Sequence, residues 1–463
     1  MKLIGTREFY KKTLVVAVPI MIQNGITNFV SMLDNIMVGR VGTDAMSGVS
    51  IVNQLFFVFV LCLFGATAGI GIFTAQFSGK GDHEGVRYTM RIKLMVSLII
   101  AVLWIAVFIF FGQDLIRLWL QGESGTGSIE NTLTSARRYM MVSIFEMVPF
   151  AVSMSYAGTL RETGETILPM KAGVVAVFVN LIGNYIFIYG KLGAPELGVA
   201  GAALATVISR YIEAFIVIFW THLHVSKNPF ITGLYSSLYV PADLIKKVAV
   251  KSSPVLLNEF LWSGGMTVLN QQYSLMGLDV VAAMNISTTV NNVFNIVFIA
   301  MGDAIAIILG QELGMKNKNK SGILEEAHQL TFFSVTVCFI SGAALFAVSP
   351  YFPLIYNTSD TIRGLATGLM RIGAVFMPVY AYENATYFTL RSGGSTWLTF
   401  VFDSAFIWVI SIPFLFVMVR FTELTILPVF VYVQLLDFIK CTIGFIMVRK
   451  GVWINDLTQY ASK

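Results

Sequence analysis

Charge is what this sequence has least of. Only 12% of its 463 residues are Asp, Glu, Lys or Arg, about half the share with which a soluble domain covers its surface. A chain that is also 56% hydrophobic must turn much of that surface to lipid. Cysteine is nearly absent. Cys62, Cys338 and Cys441 each lie within an apolar run, far from polar sequence. That argues against a disulfide or thiolate-metal role and leaves them as reduced packing residues. The four histidines, His83, His222, His224 and His328, form no cluster and no HExxH, and no GxSxG occurs, so nothing points to an enzyme or a resident cofactor. The glycines from Gly65 to Gly71 lack the Lys-Ser/Thr of a phosphate loop and sit in apolar sequence, where close helix packing explains them.

What the chain does have is long apolar runs. A spanning helix needs about 20 such residues. Runs of that order lie near 13–38, 47–77, 92–111, 138–158, 167–189, 198–221, 252–276, 281–310, 329–349, 372–390, 397–419 and 426–448, which predicts twelve spans. The first is expected to be a retained helix rather than a cleaved leader, because after the basic MKLIGTREFYKK it continues through Asn24 to Val38 without a small-x-small cleavage site. The net charge of +5 is a matter of topology, because Lys and Arg fall mainly in short breaks between runs, and no nucleic-acid partner is expected. With the N-terminus inside, inner segments carry 21 basic residues (Lys2, Lys316, Lys318 and Lys463 among them) and outer segments 8. Both termini are therefore expected to face the cytoplasm, in a multi-pass plasma (inner) membrane protein.

The chain also repeats itself. Ala45 to Phe56 returns at Ala283 to Phe294, Ala75-Gln76-Phe77-Ser78-Gly79 at Gly310-Gln311-Glu312-Leu313-Gly314, and Leu160 to Thr166 at Leu390 to Thr396. The offsets drift slowly from 238 to 230, and Pro19 and Pro149 recur as Pro254 and Pro378. Each half has an even number of spans, so the copies share one orientation, as in parallel transporter repeats. The expected fold is an all-α membrane protein of about twelve transmembrane helices in two pseudo-symmetric six-helix lobes. The lobes cover residues 1–222 and 252–463, joined by a cytoplasmic linker over 223–251. The acids do not repeat with the scaffold: Asp34 corresponds to an apolar residue in the second half, and Glu259 to Asn24 in the first.

The stretch from Ser31 through Asp34, Asn35, Gly39 and Arg40 to Gly42 resembles the first-helix signature of MATE (multidrug and toxic compound extrusion) transporters. Gln76 to Asp82, Leu160 to Thr166, Leu390 to Thr396 and Trp453 to Thr458 resemble that family too, so the likeness spans nearly the whole chain. It implies two lobes around a central cleft, alternating access, and export driven by inward Na⁺ or H⁺. It also implies a first-lobe cation or proton site joining Asp34 to Asn180, to a second acid replaced here by Asn184, and to Thr206. In the second lobe it implies a coupling acid at Glu259 and another at the position of Tyr380, where Glu383, nearly one turn later, is the substitute.

Acids at bilayer depth each need a reason, because insertion of one costs on the order of 2.5–3.5 kcal/mol. Glu213 follows Arg210 by three residues and Asp437 precedes Lys440 by three, so each pair is expected to meet on its own helix. Asp34 has no such neighbour. It is expected to hold a cation or a proton, or else to bond Asn35 or Asn28. Asn180 and Asn184 share a helix face, as hard-cation ligands or as interhelical glue. Na⁺ is expected at Asp34, Asn180 and Asn184 or at Glu259. Asp303 and Asp403 either complete a coupling cluster with Glu259 and Glu383 or serve packing, as does Glu146. The equivalent amides Asn53, Gln54, Asn291 and Asn292, with Tyr380, suit a polar or cationic substrate, or bond helix to helix. The expected function is secondary active efflux of cationic amphipathic organic compounds by Na⁺ or H⁺ antiport. The partners are small organic molecules and bilayer lipid, and the chain acts as a monomer. The alternative is an exporter or flippase of an endogenous metabolite or lipid-linked substrate.

Overall fold

The computed structural model describes residues 3–120, 129–315 and 319–459. Lys2, Lys316, Lys318 and Lys463 lie outside the described residues, as does the Asn35 side chain. Among the described residues all regular structure is helical, as lipid requires of a chain that must satisfy its own backbone.

The twelve apolar runs fall on twelve helices: α1 (Arg7–Gly39), α2 (Thr43–Lys80), α3 (His83–Leu120), α4 (Ile129–Glu162), α5 (Ile167–Tyr189), α6 (Val199–Leu223), α7 (Ala242–Ser274), α8 (Leu278–Gly314), α9 (Lys320–Val348), α10 (Asp360–Ser392), α11 (Thr396–Phe421) and α12 (Ile426–Arg449). Ten of them are apolar enough over 18 residues to cross a membrane by composition alone. The other two, α1 and α7, are 33 residues each, or ~50 Å at ~1.5 Å per residue. α7 is diluted by Asn258, Glu259, Ser263 and Thr267. Of the expected linker, residues from Ala242 onward are already the first turns of α7. The preceding segment is pinned by Arg91, whose guanidinium donates to the carbonyls of Leu234 (2.9 Å), Tyr239 (2.8 Å) and Gly233 (2.7 Å).

The sequence repeat is a structural repeat. Helix α4 ends with Gly164 at φ +99°, Gly164 N donating to Arg161 O (3.0 Å) and Glu165 N to Leu160 O (2.8 Å). Helix α10 ends with Gly394 at φ +69°, Gly394 N donating to Arg391 O (2.8 Å) and Ser395 N to Leu390 O (3.3 Å). Both are Schellman closures, which need a residue free to adopt the left-handed region.

The chain divides into two compact units. The C-terminal unit comprises Met1–Met21, Ala75–Gly81 and Lys246–Ala461, and the N-terminal unit comprises chiefly Ile22–Thr74 and Asp82–Ile245. In the N-terminal unit Val52, Phe59, Leu63, Phe108 and Met147 form the centre of the core. In the C-terminal unit Val16, Ala17 and Ile20 of α1 pack with Met301, Ile305 and Leu309 of α8. There the two copies of the repeated Gln motif cross reciprocally: a methyl at Gly79 would strike the Gln311 carbonyl, and one at Gly314 the Gln76 carbonyl. The segment after α12 straps this crossing. Gln76 Nε2 donates to Ser392 O (3.1 Å) and Asn455 O (3.2 Å), and Leu457 N donates to Gln76 Oε1 (2.8 Å). Asp456 lies within the strap. Partial burial pushes its carboxyl up, but hydrogen bonds from Thr458 N and Oγ1 (2.9 and 2.7 Å) outweigh that and hold it below the usual carboxylate range.

Candidate functional site

In the N-terminal unit, small residues set the geometry. Gly183 of α5 abuts Ala205 of α6, and Gly201 of α6 abuts the Phe187 carbonyl, so the two helices meet almost backbone to backbone. That closeness brings Asn180 to Thr206, Asn180 Nδ2 donating to Thr206 Oγ1 at 3.0 Å. Asn184, one turn on and 1% exposed, donates through Nδ2 to Asn180 Oδ1 (3.2 Å) and to Asp34 Oδ1 of α1 (2.6 Å). With the Asn180 amide turned over, its nitrogen lies 2.9 and 3.1 Å from the two Asp34 oxygens and its oxygen accepts from Thr206 Oγ1 at 3.0 Å. Asn184 Oδ1 is buried without a hydrogen-bond partner. The four residues thus collect a carboxylate, two amide oxygens and a hydroxyl, with one amide oxygen unsatisfied.

Arg210 stands one turn further along α6. Its Nη1 donates to Glu213 Oε2 (2.9 Å), as the spacing predicted, and its Nε lies 3.9 Å from Glu146 Oε2 of α4. The guanidinium centre is 4.8 Å from the centroid of the Phe150 ring. Tyr139 OH donates to Asn53 Oδ1 (3.2 Å), while Gln54 is exposed on α2.

In the C-terminal unit, Glu259 accepts a long hydrogen bond from Tyr387 OH (3.4 Å) and lies within electrostatic reach of Arg391, Asp403 and Asp303. Its neighbour Asn258 is the junction of a network. Asn258 Nδ2 donates to Asp403 Oδ2 (3.1 Å) and Tyr387 OH (3.3 Å), and its Oδ1 accepts from Ser404 N (3.3 Å) and Ser404 Oγ (2.7 Å). Asp403 and Ser404 sit in the first of two π-helical turns of α11, Val401–Ala405 and Ile407–Ser411. Such turns loosen the backbone ladder and cluster at functional sites.

Lys440 stays in electrostatic reach of Asp437, but its close ion pairs are to acids of other helices. Lys440 Nζ lies 3.2 Å from Glu383 Oε2 of α10 and 3.1 Å from Asp403 Oδ1 of α11. Helix packing outweighs sequence proximity here: Gly444 of α12 sits against Thr386 and Phe402, which brings the lysine stem in between its neighbours. Tyr380 stacks near Phe376, its other ring neighbour being Phe298, and Asn291 Nδ2 donates to Ser287 Oγ (3.3 Å), while Asn292 is exposed. Among the described residues no three His, Cys, Asp or Glu side chains converge as a metal site, and all three cysteines are free thiols.

The MatE family model matches residues 19–186 and 254–417, the two halves of the repeat. The chain belongs to the MatE family. Among curated relatives it is 26% identical over 449 residues to the probable multidrug resistance protein NorM of Thermotoga maritima, covering 96% of this chain and 93% of that one. It is 24% identical over 402 residues to the multidrug resistance protein NorM of Vibrio cholerae, covering 86% and 84%. Among solved structures, the outward-facing conformation of a multidrug resistance MATE family transporter superposes with a TM-score of 0.82 at 21% identity, over 95% of each chain. The all-helical MatE fold accounts for the duplicated scaffold.

Within that scaffold, Asp34, Asn180, Asn184 and Thr206 come together as a set, and Glu259 meets Tyr387 and the Asp403 network. Asn258, Tyr387 and Lys440 are the site residues that sequence reasoning missed. Asn258 is masked by the more conspicuous Glu259 beside it. A usable signal existed for Lys440: it lies 230 residues after Arg210, the same offset as the Leu-Arg turn, so the cation repeats where the acids do not.

Proposed function

We propose that this MatE protein is a secondary active exporter of cationic, amphipathic organic compounds, driven by inward movement of Na⁺ or H⁺ through alternating access. Multidrug resistance is what the names of the NorM relatives state of those proteins. The observation that carries the coupling is the Asp34 set: one carboxylate with three neutral oxygen-bearing groups, and an Asn184 oxygen left without a partner. Hard monovalent cations take such oxygens. The Asn180 amide serves either state. Its nitrogen donates to Asp34 when the carboxylate is alone, and its oxygen turns in when a cation is held. With a single acid, the set suits Na⁺ better than a two-acid proton relay. Occupancy and substrate then act by population shift, each favouring a different arrangement of the transporter.

Glu259, with Asp303 in electrostatic reach, is the second coupling acid. Asn53, Gln54, Asn291, Asn292 and Tyr380 supply polar and aromatic contacts along the substrate path, and the abundant Met and Phe side chains adapt to varied substrates. The protein lies in the plasma membrane as a monomer, and the bias of basic residues supports both termini in the cytoplasm. Export of a fluorescent organic cation from proteoliposomes tests this. An imposed Na⁺ gradient should accelerate export, a pH gradient alone accelerating it if the ion is H⁺, and export indifferent to both gradients would refute antiport.

A further inference from the structure

Lys440 is 8% exposed, and its ammonium is held by two carboxylates from neighbouring helices rather than by the acid on its own helix. The ammonium also faces an aromatic ring, with Nζ 5.2 Å from the centroid of Phe402. A lone structural ion pair is a poor explanation, because burying two ions costs about as much as their attraction returns and an apolar pair would serve packing equally. Here one cation is paired with two acids and has a third, Asp437, in electrostatic reach, and Glu383 Oε1 is buried with no hydrogen-bond partner. Asp403 is further aimed by Asn258, which in turn closes the open Ser404 backbone N–H of the π-helical turn. The arrangement is that of a cation-binding site built from three helices, with the cation supplied by a side chain. Arg210, at the equivalent position in the first half, is likewise flanked by two acids, Glu146 and Glu213.

We infer that Lys440 is a tethered cation that permanently occupies an acidic site of the C-terminal unit formed by Glu383 and Asp403, and so excludes free cations from it. The inference deepens the coupling reading above: the transported cation finds Asp34 open to it and the Glu383–Asp403 site already filled. The site without its lysine takes a free monovalent cation. An ammonium and a potassium ion are nearly equal in size, so the oxygens 3.1 and 3.2 Å from Nζ suit K⁺ or Rb⁺ after a small inward movement.

The test uses the full chain in detergent, carrying Asp34→Asn and Glu259→Gln so that neither coupling acid contributes. Binding of radiolabelled Rb⁺ and the rise in thermal midpoint in RbCl over choline chloride are read together. That background alone should show neither; adding Lys440→Met should gain both; adding Asp403→Asn to that should abolish the gain, and Lys440→Arg in place of Lys440→Met should gain nothing. No gain in the Lys440→Met protein, or Rb⁺ binding that needs Glu383 while Lys440 is present, overturns the inference. If Lys440→Met does not accumulate, Lys440→Met/Glu383→Gln decides: recovered accumulation shows that the lysine is needed for its charge, and continued loss shows that it is needed for packing, against the inference. Failure of the Asp34 reading looks different, since Asp34→Asn would then keep the wild-type response to Na⁺ whatever stands at 440.

Discussion

In the N-terminal unit a single carboxylate, Asp34, lies with the neutral groups of Asn180, Asn184 and Thr206, and Arg210, paired with Glu213, is within electrostatic reach of it. In the C-terminal unit two carboxylates, Glu383 and Asp403, face the ammonium of Lys440. The first arrangement can change occupant at small cost, because an amide that loses one partner turns to another, and a typical hydrogen bond is worth only about 1 kcal/mol net. The second cannot, because withdrawing the cation strands buried charge. Both halves hold a tethered cation between two acids, Arg210 with Glu146 and Glu213 and Lys440 with Glu383 and Asp403, and the difference is that the first half adds a carboxylate, Asp34, whose hydrogen-bond partner is a neutral amide.

The strongest way to break that contrast is Lys440→Met. Removing one partner of a buried ion pair costs about 3–5 kcal/mol. Thermal unfolding of the purified transporter should fall accordingly, with recovery when Glu383→Gln is added; a loss no greater than that of an exposed lysine would erase the distinction. Next is Asn258→Ala, which strips Ser404 N and Asp403 of their shared partner and should cost about 1–3 kcal/mol. Gln23→Ala, its equivalent in the first half by the repeat offset, should cost less, because the π-helical turn that Asn258 closes belongs to α11. Unfolding by denaturant of the two variants checks this. Asn184→Asp sharpens the contrast from the other side by giving the first-half set a second carboxylate. Its affinity for Na⁺, read by isotope binding, should rise about tenfold, or about 1.4 kcal/mol.

The smallest effect concerns the strap after α12. A carboxyl depressed on folding adds stability above its unfolded pKa and loses it as pH falls. Asp456→Asn should therefore lower the thermal midpoint slightly at pH 7, and the gap from wild type should close as pH falls below about 4.

Much of this was legible from local rules. The Asn180–Asn184 spacing puts both amides on one face of α5, and the Gly-rich start of α6 allows the approach that brings Thr206 to them. The Leu-Arg turn with its glycine repeats in sequence because the same Schellman closure repeats in space. What stayed hidden depends on three-dimensional register. A rule of three-residue spacing assigns Lys440 to Asp437, but the side chain follows the packing of α12 on α10 and α11. The π-helical turns that set Asp403 and Ser404 are backbone hydrogen-bond shifts that no residue pattern announces, so Asn258 had no visible task until Ser404 was seen beside it.

The seat of the coupling cation separates the two units most directly. Na⁺-driven export of a fluorescent organic cation should be measured in proteoliposomes of wild-type and Asp34→Asn protein reconstituted at equal density. The Asp34 set as coupling site requires the gradient-driven part of export to vanish in Asp34→Asn while the protein remains folded. Export by Asp34→Asn that still follows the Na⁺ gradient at the wild-type rate would contradict it.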